Sequence, residues 1–141
     1  MNFWDSSAIL PLLVREVTSA AVRCYLDSEP EMAIWWATPV ECMSALARKE
    51  REGKLDLPQM IAAQANLDLI AASSVEVTAT DAVRQVAQKL LRRYPLRAAD
   101  ALQLAAACAL AGEATQDYGF VCLDARLTLA AGKEGFRIVT F

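Results

Sequence analysis

The sequence predicts a single α/β domain with a mostly parallel central sheet of about five short strands flanked by helices. Three features predict it. Strand-length apolar runs alternate with longer helix-patterned ones along the whole chain, the order that builds a parallel sheet through helical crossovers. Residues 32–37 are apolar throughout, as expected of a strand covered on both faces. The 141 residues contain no internal repeat, low-complexity stretch or linker, so residues 1–141 form one domain around one core.

In chain order, residues 1–4 read as the first strand. Asp5-Ser6-Ser7 then opens a helix in which Ala8, Ile9, Leu12 and Leu13 recur at helical spacing. Residues 18–28 form a second helix, closed by Glu29-Pro30-Glu31. The strand at 32–37 carries Trp35 and Trp36, both expected in the core. Thr38-Pro39 starts a helix that stops near Gly53, a residue suited to a helix C-terminus. Pro58 opens another, to about Ala72. Residues 75–77 are strand-like, and Thr80-Asp81 caps a helix running to about Arg93. Lys89, Arg92 and Arg93 crowd its C-terminal end, where the helix dipole favours cations. After Pro95, residues 96–112 form an alanine-rich helix. Residues 118–123 are a strand, 124–131 a short helical turn and 136–140 the last strand.

Composition narrows the function. Apolar residues make up 55% of the chain and the mean hydropathy is +0.25, high enough to predict buried helices or a covered partner surface. No apolar stretch reaches the ~18 residues that span a bilayer, and Met1-Asn2-Phe3-Trp4-Asp5 lacks the basic flank and long apolar run of a signal peptide. A cytoplasmic location is expected. The four cysteines, Cys24, Cys42, Cys108 and Cys122, form no C-x-x-C pair and are expected as small buried thiols.

There is no histidine. That excludes Ser-His-Asp and Cys-His chemistry and makes a zinc site improbable. Four acids, Asp5, Glu41, Asp100 and Asp124, instead stand where a strand-like run ends or a helix-like run begins. Each has a local structural explanation. Asp5 and Asp124 suit helix N-caps, Asp100 favours the dipole of its helix, and Thr38-x-x-Glu41 with Pro39 matches a capping box. Their shared polarity is left unexplained by capping. In a parallel sheet all strand C-termini face one edge, where ligands bind. Carboxylates meeting there suit a hard divalent cation with oxygen ligands, Mg²⁺ or Mn²⁺. The net charge of −3 does not exclude a phosphodiester substrate, because setting the four acids aside leaves 13 acids against 14 bases.

Four segments in order, Asp5-Ser6-Ser7-Ala8-Ile9-Leu10, Thr38-Pro39-Val40-Glu41-Cys42, residues 96–105 around Asp100, and residues 120–127 around Asp124, resemble the PIN-domain family over essentially the whole chain. The closest likeness is to VapC-type ribonuclease toxins of toxin–antitoxin pairs. The resemblance implies a PIN-like fold and a Mg²⁺- or Mn²⁺-dependent endoribonuclease. Asp5 and Asp100 would be the principal metal ligands, with Glu41 and Asp124 acting directly or through water. On the same likeness, water would attack in line and the 3′-oxygen would leave, giving a 5′-phosphate. The implied partners are an RNA substrate, a cognate antitoxin and a second copy in a homodimer. The apolar faces of residues 8–13 and 40–46 are candidate surfaces for such a partner. Ser6 and Arg97 are the candidate substrate contacts. Ser6 and Ser7 equally suit helix-start hydrogen bonding.

Two positions depart from the family pattern: Cys122, where many relatives carry Ser or Thr, and Gln103, where histidine is common. Both are expected to bear on substrate contacts more than on the metal site. Among other classes, an aspartate-nucleophile phosphatase needs Asp-x-Asp where this chain has Asp5-Ser6-Ser7. A phosphate-accepting receiver domain needs an acidic pair and a late lysine that are not found. The remaining alternative is a non-catalytic PIN-like module binding RNA or protein.

Overall fold

Five strands of three or four residues pair side by side in a computed structural model that describes residues 1–141. They are β1 (Asn2–Trp4), β2 (Met32–Trp35), β3 (Val75–Val77), β4 (Gly119–Val121) and β5 (Arg137–Val139). The order across the sheet is β3-β2-β1-β4-β5, and every neighbouring pair is parallel. The sheet is thus wholly parallel. Seven helices make the crossovers: α1 (Ser6–Leu13), α2 (Ser19–Ser28), α3 (Thr38–Arg51), α4 (Leu57–Ser73), α5 (Asp81–Arg93), α6 (Ala98–Ala111) and α7 (Ala125–Lys133). A short 3₁₀ turn, Thr115–Asp117, precedes β4.

Side chains alternate across each strand and so divide the core into two layers. Phe3, Ala33, Trp35 and Phe120 face α5, α6 and α7. Trp4, Met32, Ile34, Val121 and Val139 face the layer formed by α1, α2, α3 and α4. The central strands are buried on both faces, which is why residues 32–35 read as an unbroken apolar run. α6 is covered almost all round. Its alanines let it lie close against its neighbours, and Ala101, Leu104, Ala105, Ala106 and Ala107 are inaccessible to solvent.

Several local expectations are corrected. Trp36 falls just past the end of β2 and is 55% exposed, while Trp35 is buried. Cys42 and Cys122 are buried as expected, but Cys24 lies exposed on α2 and Cys108 is only partly covered. The apolar face of residues 8–13 is consumed by the core, since Ala8, Ile9, Leu12 and Leu13 are all buried. Only the residue 40–46 face retains surface: Val40 is exposed and, with Pro39, Met43, Ala47 and Leu67, lines an apolar groove between α3 and α4 of about 430 Å³.

The capping box expected at Thr38-x-x-Glu41 does not form. Thr38 is already inside α3, whose N-cap is Ala37 with no side-chain bond. The Thr38 hydroxyl turns to Gln103, and Glu41 reaches toward Ser6 and Gln103. A complete box stands instead at Asp56 and Gln59, opening α4.

Candidate active site

The reversal of strand order falls between β1 and β4, with β2 on the other side of β1. Crossovers diverge there and leave a crevice beyond the strand C-termini. Asp5 is the first residue after β1, and Asp124 is the N-cap of α7 beyond β4. Glu41 comes from the first turn of α3 and Asp100 from the first turn of α6. All four line a single cavity of about 390 Å³, together with Ser6, Ser7, Ser44, Arg48 and Arg97. The structure brings every candidate site residue to one place.

Local chemistry aims them. Asp5, 4% exposed, accepts on Oδ2 from the Ser7 amide at 2.9 Å, the Ser7 hydroxyl and the Cys122 thiol at 3.6 Å. Ser7 Oγ itself accepts from the Leu123 amide at 2.9 Å, which ties α1 to the segment after β4. Glu41 accepts on Oε2 from Ser6 Oγ at 3.0 Å and from Gln103 Nε2 at 3.1 Å. Asp124 accepts on Oδ1 from the Leu127 amide at 2.8 Å, a true N-cap bond. In each of these three acids the protein's donors converge on one oxygen, leaving the other for something else. None of the four acids is paired with a lysine or arginine.

Electrostatics follow from this burial without countercharge. The carboxyl of Asp5 is pushed above its ordinary value, chiefly by desolvation, against the opposing hydrogen bonds of Ser7 and Cys122, with Asp100 adding repulsion. Glu41 is pushed up for the same leading reason, with the Gln103 and Ser6 bonds opposing and Asp5 and Asp100 adding like charge. The Cys122 thiol is pushed up to about 12 by burial and by Asp5, and Cys42 also to about 12. Both stay protonated, serving as weak donors and packing groups, not as thiolates.

The donor set fits a hard divalent cation. It is all carboxylate oxygen with no imidazole, and it offers unclaimed oxygens on Asp5, Glu41 and Asp124. As the side chains stand, no three acids or cysteines are gathered tightly enough to hold an ion.

Sequence reasoning missed Arg48 and Ser44. Both lie on α3 on the face of Glu41, Ser44 about one turn and Arg48 about two turns beyond it, and the helical spacing i, i+3, i+7 would have found them. Gln103 and Cys122, expected to bear on substrate contacts more than on the metal site, are not among the cavity-lining residues. They stand behind the acids, Gln103 bonded to Glu41 and Cys122 to Asp5. Trp36 is at the same sheet edge but outside the cavity lining.

A wholly parallel α/β domain with four carboxylates in the crevice at its switch point defines the class: an acid-centred α/β fold. The chain belongs to the PIN domain family, which it matches over residues 3–126; PIN domains are generally nucleases. Among solved structures it is similar to FitAcB from Neisseria gonorrhoeae, with TM-score 0.67 and 18% identity, covering 99% of this chain and 97% of that one. It is also similar to PAE2754 from Pyrobaculum aerophilum, with TM-score 0.63 and 22% identity over 97% and 81%. A structure of FitAB bound to an IR36 DNA fragment aligns with TM-score 0.68 and 17% identity over 99% and 94%. No curated protein matches the sequence. No helix is long and apolar enough to cross a membrane.

Proposed function

We propose that the protein is a Mg²⁺- or Mn²⁺-dependent endoribonuclease, the toxin of a toxin–antitoxin pair. The observation that carries the reading is the convergence of Asp5, Glu41, Asp100 and Asp124 on one cavity with no basic partner. Asp5 and Asp100 would hold the cation, and Glu41 and Asp124 would complete its surroundings directly or through water. Bound there, the cation would lower the pKa of a water and offset charge on the scissile phosphate. The protein's own part is positional. Ser7 and Cys122 fix Asp5, Ser6 and Gln103 fix Glu41, and the first turn of α7 fixes Asp124. Ser6, Arg97 and Arg48 line the same cavity and are the proposed contacts to the phosphodiester. The two arginines pair with no acid, so their charge is available to phosphate.

The VapC likeness of the four motifs supports the toxin role, a cognate antitoxin and a homodimer. The apolar groove between α3 and α4 is a surface consistent with a partner helix. The wide spacing of the acids favours one rival, a PIN-like module that binds RNA or protein without cleaving.

Cleavage of mixed RNAs separates the two. The enzyme reading predicts 5′-phosphate products that appear with Mg²⁺ or Mn²⁺, vanish on chelation and vanish in Asp5→Asn. The toxin reading adds that expression of the wild type arrests growth and that the same substitution relieves the arrest. RNA binding without cleavage under any divalent cation would establish the binding module.

A further inference from the structure

Gln103 is inaccessible to solvent on a helix otherwise buried through alanine and leucine. A leucine of similar size would pack there at no polar cost, whereas a buried amide is costly unless its donors and acceptor are satisfied. Nε2 donates to Glu41 Oε2 at 3.1 Å and to Thr38 Oγ1 at 3.1 Å. The Thr38 hydroxyl also lies 3.4 Å from Oε1. Because an ionised carboxylate only accepts, the amide nitrogen must be the end that faces Glu41.

The terminal torsion of a glutamate is broad and weakly restricted. Here Ser6 Oγ from α1 and Gln103 Nε2 from α6 both bond the same Oε2 of a side chain rooted in α3. Two donors from different elements stop the carboxylate turning, and Oε1 is left without a protein donor. Thr38, buried three residues before Glu41 on the same helix, braces the amide from its other side. We propose that Gln103 is a positioning residue, which through its bonds to Glu41 and Thr38 sets the direction in which Glu41 presents its free oxygen to the cation. The proposal rests on Glu41 belonging to the cation site. The Gln103 bond is also the leading influence opposing the burial that raises the Glu41 carboxyl.

Mn²⁺ affinity measured by calorimetry on the full chain tests it, alongside RNA-cleavage kinetics. Gln103→Leu is expected to weaken Mn²⁺ binding by about 10–100-fold, the scale for groups that orient a metal ligand. It should lower kcat while KM for RNA stays within about twofold. Gln103→His should restore most of both, because imidazole Nε2 is as many bonds from Cβ as the amide nitrogen. In a Glu41→Gln background, Gln103→Leu should cost nothing further in Mn²⁺ affinity if it acts through Glu41. Should Gln103→Leu fail to fold, Thr38→Val removes only the brace and should weaken Mn²⁺ by about threefold, the scale of one hydrogen bond. Wild-type Mn²⁺ affinity in Gln103→Leu or, failing that, in Thr38→Val, with binding abolished by Asp5→Asn, would overturn the proposal and leave the site standing. Absence of Mn²⁺ binding by the wild type would overturn the site and the proposal with it.

Discussion

Glu41 takes both its protein donors on Oε2, and Asp5 takes its three on Oδ2. At the scale of single residues, that division leaves the second oxygen of each carboxylate free of the protein. Glu41→Gln keeps an oxygen to accept from Ser6 and Gln103 and removes only the charge. Cleavage should therefore be largely lost, with folding stability changed by less than about 1 kcal/mol, the net scale of one exchanged hydrogen bond. Near-normal cleavage by this variant would return Glu41 to a structural role. The raised carboxyls also fix a pH dependence. An acid whose folded pKa lies above its unfolded value binds more protons when folded, so its penalty is absent below the unfolded value and grows as pH rises through the folded one. The metal-free protein should lose stability as pH rises from the ordinary values of 3.8 for Asp5 and 4.5 for Glu41 through their raised values. Melting curves across that window check it, and in Asp5→Asn the slope should be shallower. The four acids were legible in the sequence because each follows a strand or opens a helix. The roles of Thr38 and Gln103 were not, because their partnership spans 65 residues, and Thr38 in isolation has the sequence context of a cap.

At the scale of elements, helix starts were more legible than strand ends. Asp5, Thr80 and Asp124 each accept from an amide of the first turn, as their residue type and position predict. Four of the five strands were read too long, because an apolar residue continues the pattern past the strand's end, whereas residues 75–77 were read at their observed bounds. Trp36 continues the run of β2 but points to solvent beyond it. One contact between strands is unusually tight. Gly119 pairs with Asn2 across β1 and β4, and a Cβ at Gly119 would lie 2.0 Å from Asn2 Oδ1. That oxygen cannot easily withdraw, since it accepts from Tyr25 and Arg137 while Nδ2 donates to Glu29. Gly119→Ala should destabilise the fold by about 1–3 kcal/mol, the usual cost of overpacking, measured by denaturant unfolding. An unchanged midpoint would show that the Asn2 cluster yields freely.

At the scale of the whole molecule, the alternation of strands and helices predicted the parallel sheet, and the strand order supplied what the sequence does not print. The order β3-β2-β1-β4-β5 places the ends of β1 and β4 side by side, turning four scattered acids into one cavity. The cost of that arrangement is borne by the metal-free protein: buried or half-buried carboxylates with no basic partner. A ligand that binds only the folded state stabilises it by mass action. The most direct test is the melting temperature at neutral pH, with and without millimolar Mn²⁺, of the wild type and of Asp5→Asn combined with Asp100→Asn. A cation site built from these acids predicts that the wild type rises with Mn²⁺, and that the double variant starts higher without metal and no longer responds. A double variant that responds to Mn²⁺ as the wild type does would contradict it.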